Sequence, residues 1–117
     1  MQPELLGFLE DILDAVSHIE AVTLGMQYDA FTSKRVERES VQWNLIVIGE
    51  AVHRIRRHYP EIAKHIQSAD QIVGFRNTIV HGYDHIDDHT VWAVVEDHLS
   101  ILKSDIGRIL GDIDTPR

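Results

Sequence analysis

The stretch Val41-Gln42-Trp43-Asn44-Leu45-Ile46-Val47-Ile48-Gly49-Glu50-Ala51-Val52-His53-Arg54-Ile55 is apolar on two sides at once. Val41, Leu45, Ile48, Val52 and Ile55 recur at three- and four-residue steps, which is the stripe of a helix facing a core. Trp43, Ile46 and Val47 lie outside that stripe, so the middle of the helix is apolar nearly all round. One small core cannot cover both faces. Two arrangements can: a helix central to its own protomer, or a helix whose second face packs on another copy in a two-fold homodimer. Thr32 or Ser33 can cap the N-terminus of this helix, and Pro60 stops it after about Tyr59.

Working outward, Leu5, Leu9, Ile12, Val16 and Ile19 form the stripe of a first helix that ends near Gly25. Residues 60–69 read as a connector with room for one helical turn around Glu61 to Ile66. A third helix over about Asp70 to His81 turns Ile72, Phe75 and Ile79 inward, and Gly82 stands where helices commonly end in a left-handed residue. Asp87 or Asp88 caps a fourth, whose stripe is Val91, Val95, Leu99, Leu102, Ile106 and Ile109. No segment alternates as a strand does, and the tail from Gly111 to Arg117 is expected to fray. The reading is therefore all-α: a four-to-five-helix up-and-down bundle, with residues 1–117 as a single domain.

Composition narrows the function classes. The chain has 117 residues, 44% hydrophobic and 26% charged, and no cysteine, which excludes disulfide frameworks, thiolate zinc sites and cysteine nucleophiles. The first thirteen residues lack the basic-then-apolar layout of a secretory signal, and no apolar run approaches the ~20 residues of a membrane span. A cytoplasmic protein is expected. The net charge of -8 argues against coating nucleic acid by bulk electrostatics, so any RNA contact must be local. The local candidate is the basic run His53, Arg54, Arg56, Arg57 and His58, with Lys34, Arg35 and Arg38 as helpers; the plain alternative is a solvated helix face.

The residues that carry chemistry are in Gly74-Phe75-Arg76-Asn77-Thr78-Ile79-Val80-His81-Gly82-Tyr83. At about 100° per residue, Arg76 and Tyr83 fall nearly on one face, and Asn77 and His81 form a neighbouring four-residue pair. His81 lies at a helix C-terminus, where the helix dipole favours a protonated imidazole. A guanidinium beside an imidazolium suits a phosphate-like substrate. Each residue also has a plain structural explanation, a carbonyl partner for His81 and a surface position for Arg76, and spacing alone leaves the choice open.

The pattern Arg76, four residues, His81, one residue, Tyr83 resembles the Arg-x4-His-x-Tyr signature of HepT-like toxins in the HEPN superfamily of helical ribonucleases. Leu9 to Ile19, Ile48-Gly49-Glu50-Ala51, Tyr59-Pro60-Glu61-Ile62, and Ile86-Asp87 followed by Val91-Trp92 resemble that family in order and spacing, from about residue 5 to 110. The resemblance implies a HEPN-like homodimer that brings two motifs into one cleft. It implies metal-independent endoribonuclease activity with no cofactor, in which the ribose 2′-hydroxyl attacks the adjacent phosphate. Arg76 would hold that phosphate, His81 would act as general acid or base, and Asn77 would orient the phosphate or the imidazole. It also implies a toxin–antitoxin pair, in which a minimal nucleotidyltransferase silences the toxin by attaching AMP to Tyr83.

Two other classes compete. His81, His85 and His89 recur every four residues among Asp84, Asp87 and Asp88, a spacing that binds zinc when the rings share one helix face. Gly82 and the Asp87 cap break that stretch, so the expectation is no metal site. The third class is a non-catalytic helical module that only binds the nucleotidyltransferase.

Overall fold

A computed structural model describes residues 2–81 and 86–114, and its described residues form helices with no strand. They are α1 (Pro3–Thr23), α2 (Tyr28–Ser33), α3 (Arg35–His58), α4 (Pro60–Ala63), α5 (Ala69–His81), α6 (Asp88–Asp97) and α7 (Leu99–Asp114). The all-helical bundle expected from the sequence is present. Seven segments replace the expected four or five because two short helices fill the connectors and the last long one is broken.

Pro3 opens α1 at a position where a missing N–H costs nothing. The stripe Leu5, Leu9, Ile12, Val16 and Ile19 is buried as read, and Gly25, at φ +73°, turns the chain away in the left-handed region. The six residues of α2 then bring Phe31 into the core, fully buried, with its ring 5.0 Å from that of Trp92. Thr32 and Ser33 do not cap α3. Their hydroxyls donate back to the Asp29 and Ala30 carbonyls within α2, and Lys34 stands at the α3 N-cap without a side-chain bond.

At about 1.5 Å per residue, the 24 residues of α3 span roughly 36 Å and give the bundle its axis. Its core stripe is buried against α1 and α5. Pro60 ends it and also opens the single turn of α4. The predicted fourth helix is capped by Asp87, whose carboxylate accepts from the His89 backbone N–H at 3.0 Å and the Thr90 hydroxyl at 3.1 Å. It divides at His98, whose backbone turns to φ -115°, ψ -27° while keeping its bonds to Val94 and Leu102. Val95 is only half-buried, and Trp92 takes more of the core.

Asp105, 1% exposed, is a buried carboxylate in the apolar stripe of α7. It accepts from the Gln67 backbone N–H at 2.9 Å, the Gln67 side-chain amide at 3.1 Å and Arg108 at 3.0 Å. Three donors make the burial tolerable and tie the α4–α5 connector to α7. No helix among the described residues is long and apolar enough to cross a membrane.

The second apolar face of α3 is open in the protomer: Trp43 is 65% exposed, and Ile46 and Val47 are half-buried. With Phe8 of α1 they line a shallow groove of about 300 Å³ whose rim carries Glu50 and Arg54.

Candidate active site

The site is built where Gly49 of α3 lies against Arg76 of α5. The two helices run antiparallel, since Gly49 lies against Arg76 while Arg56, seven residues on, pairs with Asp70. A Cβ placed on Gly49 would stand 2.7 Å from Cγ of Arg76 and closer still to its Cβ, so only glycine lets the Arg76 stem lie against the α3 backbone.

The guanidinium is held from both helices. Its Nη2 meets Glu50 Oε2 at 2.9 Å, and its Nη1 donates to Asn77 Oδ1 at 2.7 Å. The Arg76 Nε is buried without a partner. The other Glu50 oxygen accepts from Arg54 Nε at 3.2 Å, so one carboxylate is shared by two guanidiniums. With Arg76 and Glu50 side chains 27% and 36% exposed, this pair adds little stability; its effect is geometric. Each Nη carries two hydrogens and spends one on these partners, which leaves a two-pronged donor of the kind that grips phosphate.

Asn77 and His81 are exposed on α5, and Val80 between them is 38% exposed. The structure thus joins Arg76 and Asn77 directly, and the Asn77 amide is engaged by the arginine rather than the imidazole. His81, the last residue of α5, makes no hydrogen bond or ion pair among the described residues. It lies about 7.5 Å further along the helix axis by the helical rise. Gly82, Tyr83, Asp84 and His85 lie outside the described residues, so the placement expected for Tyr83 beside Arg76 does too.

Just past that segment, the His89 ring stacks on Tyr28 with centroids 4.2 Å apart. Burial first, and then the Asp88, Asp87 and Asp29 carboxylates, push the Tyr28 phenol above its ordinary range. Among the described residues no three histidine, aspartate or glutamate side chains gather as a metal site.

The expectation of Arg76, Asn77 and His81 omitted the residues that fix Arg76. Glu50 and Gly49 lie 26 and 27 positions before it in the sequence. The available signal was a glycine interrupting a long helix next to an acid, on the side the core stripe does not use.

A family model described as "Ribonuclease HepT-like" matches residues 12–109. A Methanocaldococcus jannaschii protein named as a "Putative RNase" is 31% identical over 111 residues, covering 95% of this chain and 91% of the relative. A second of the same description and organism is 30% identical over 111 residues, covering 95% of each chain. A Thermococcus cleftensis protein named "Probable ribonuclease HepT" is 28% identical over 100 residues, covering 82% of this chain and 86% of the relative. No solved structure is a significant match.

Proposed function

This chain belongs to the HepT-like ribonuclease family, and we propose that it is the toxin of a toxin–antitoxin pair that cleaves RNA without a metal ion. The observation that carries the reading is the half-buried Arg76 guanidinium, seated on Gly49, steadied by Glu50 and Asn77, with remaining Nη hydrogens that no described residue engages. In this reaction the ribose 2′-oxygen loses its proton and bonds to the adjacent phosphorus. The P–O5′ bond breaks, and the products are a 2′,3′-cyclic phosphate and a 5′-hydroxyl. Arg76 binds the non-bridging oxygens and offsets the charge that grows on them. His81 moves one of the two protons, as acid or base, and no described residue engages its ring.

A homodimer through Trp43, Ile46 and Val47 fits this chemistry, because that groove ends at Glu50 and Arg54, beside Arg76. Two Arg76–His81 sets would then face one cleft. The partner in the cell is a minimal nucleotidyltransferase that adds AMP to Tyr83, two residues after His81. A bulky anion placed there competes for the cleft's positive charge. The test is cleavage of single-stranded RNA by purified protein, its Arg76→Ala and His81→Ala variants, and the parent in EDTA. Activity in the parent with or without EDTA and its loss in both variants supports the reading. Cleavage that survives both substitutions refutes it.

A further inference from the structure

The protein is acidic overall, and its cations are almost all spoken for. Of the eleven lysines and arginines, ten lie among the described residues, and eight of those form ion pairs with carboxylates. The basic run at the end of α3 is mostly neutralised in this way: Arg54 is held by Glu50, Arg56 by Asp70, and the neighbouring Lys64 by Glu61. Among the described residues two cations have no such partner, Lys34 and Arg57. Lys34 precedes α3, 23 residues before Arg57, so by the helical rise it is roughly 35 Å away.

Arg57 is exposed and, seven residues after Glu50, falls on the Glu50 face of α3. Glu50, which holds Arg76, recurs seven residues later at Arg57 and three residues later at His53, so the three form one stripe. His53 is half-buried between the other two, with no hydrogen bond or ion pair among the described residues. Because α3 and α5 are antiparallel, His81 lies beyond Arg76 on the side away from Arg57 along the bundle axis. Taking the rise of 1.5 Å per residue, the order along the axis is His81, Arg76, His53, Arg57, at steps of roughly 6–8 Å. That step is comparable to the backbone repeat of one extended nucleotide. An uncompensated arginine on an otherwise neutralised surface is where a phosphate gains most, because no carboxylate competes for it.

We propose that His53 and Arg57 form a phosphate subsite that holds the RNA backbone one to two nucleotides away from the bond cut at Arg76 and His81. The proposal rests on the ribonuclease reading and adds the direction in which the substrate runs: along α3 toward its C-terminus, away from the exposed Trp43–Val47 surface. Arg57 lies ten residues, or roughly 15 Å along the axis, beyond Val47. His53 contributes as a neutral donor or as a cation; Arg57 contributes the fixed charge.

The test uses two labelled uridine oligoribonucleotides, a dinucleotide too short to span both sites and an octanucleotide, with the parent, Arg57→Ala and Arg57→Lys. Arg57 is exposed and unpaired, so neither substitution should disturb the fold, and thermal melts check this. For the octanucleotide, Arg57→Ala should raise KM about 5- to 20-fold with kcat unchanged, and Arg57→Lys should restore most of the loss. The slope of log K against log salt for the octanucleotide, measured by anisotropy on the His81→Ala background, should flatten by about 0.7 on removing Arg57, the value for one phosphate contact on a single strand. For the dinucleotide, parent and Arg57→Ala should be cut alike. Unchanged octanucleotide affinity and salt slope in Arg57→Ala would overturn the subsite while leaving the ribonuclease reading intact. Equal loss on both lengths would also overturn it, by placing Arg57 at the cleaved bond. A parent that neither binds nor cuts either RNA would remove the reading beneath it.

Discussion

Replacing Gly49 with alanine adds one methyl group at the point where α3 supports the proposed catalytic arginine. The new Cβ would lie 2.7 Å from Arg76 Cγ, closer to Arg76 Cβ, and 3.3 Å from the Ile72 carbonyl oxygen, against an ordinary contact of 3.4 Å or more. Reaching that distance requires at least 0.7 Å of separation at Cγ (3.4 less 2.7) and more at Cβ. Neither Cβ nor a helix carbonyl can swing aside as the end of a flexible side chain does, so α5 itself must retreat. Overpacking of this kind costs about 1–3 kcal/mol, while alanine's better helix propensity returns up to about 1 kcal/mol. The expected net loss is therefore up to about 2 kcal/mol, read as a lower urea midpoint at constant slope. Activity should suffer more than stability, because a shift of about 1 Å in a positioning group can cost roughly 10²-fold in rate. The assay is RNA cleavage under conditions where parent and variant are both fully folded. A Gly49→Ala protein that is about 1 kcal/mol more stable and cuts RNA at the parent rate would show that the close approach does not seat Arg76.

Three further substitutions probe separate parts of the account. Asp105→Ala leaves the Gln67 backbone N–H, its side-chain amide and Arg108 without their shared acceptor; unfolding should show a loss of about 2–4 kcal/mol, and an unchanged midpoint would refute the role given to Asp105. Trp43→Glu puts a charge on the exposed apolar face of α3 and should convert a dimer to a monomer in sedimentation at micromolar concentration; a parent that is already monomeric contradicts the interface. Tyr83→Phe should keep RNA cleavage but take up no AMP when incubated with ATP and the nucleotidyltransferase encoded beside it, as read by intact mass. Modification at Tyr59, or inhibition undiminished in the variant, would place control elsewhere.

The long helices were legible because each repeats its apolar stripe over several turns: Leu5 to Ile19, Val41 to Ile55, and Leu99 to Ile109 are buried as the period demands. The six residues of α2 are too short for a 3.6-residue period to emerge, so Phe31 entered the core unannounced. The break at His98 has no proline or glycine to mark it. In the site, Arg76, Asn77 and His81 could be read because they share one helix. Glu50 could not, because an ion pair between helices is fixed by how they pack. The exposed Trp43 surface follows directly from the two-sided apolar pattern of α3.

The central claim, that Arg76 and His81 drive attack by the neighbouring 2′-hydroxyl, is tested most directly by the chemistry of the cut ends. A defined single-stranded RNA is digested in EDTA by the parent and by His81→Ala, beside a copy with one 2′-deoxy position at the cleavage site, and fragment masses are read. The account predicts 2′,3′-cyclic phosphate and 5′-hydroxyl ends from the parent, no cut at the deoxy position, and a rate roughly 10²–10⁴-fold lower without His81. Fragments carrying 5′-phosphate and 3′-hydroxyl ends, or a cut made equally well at the deoxy position, would contradict it.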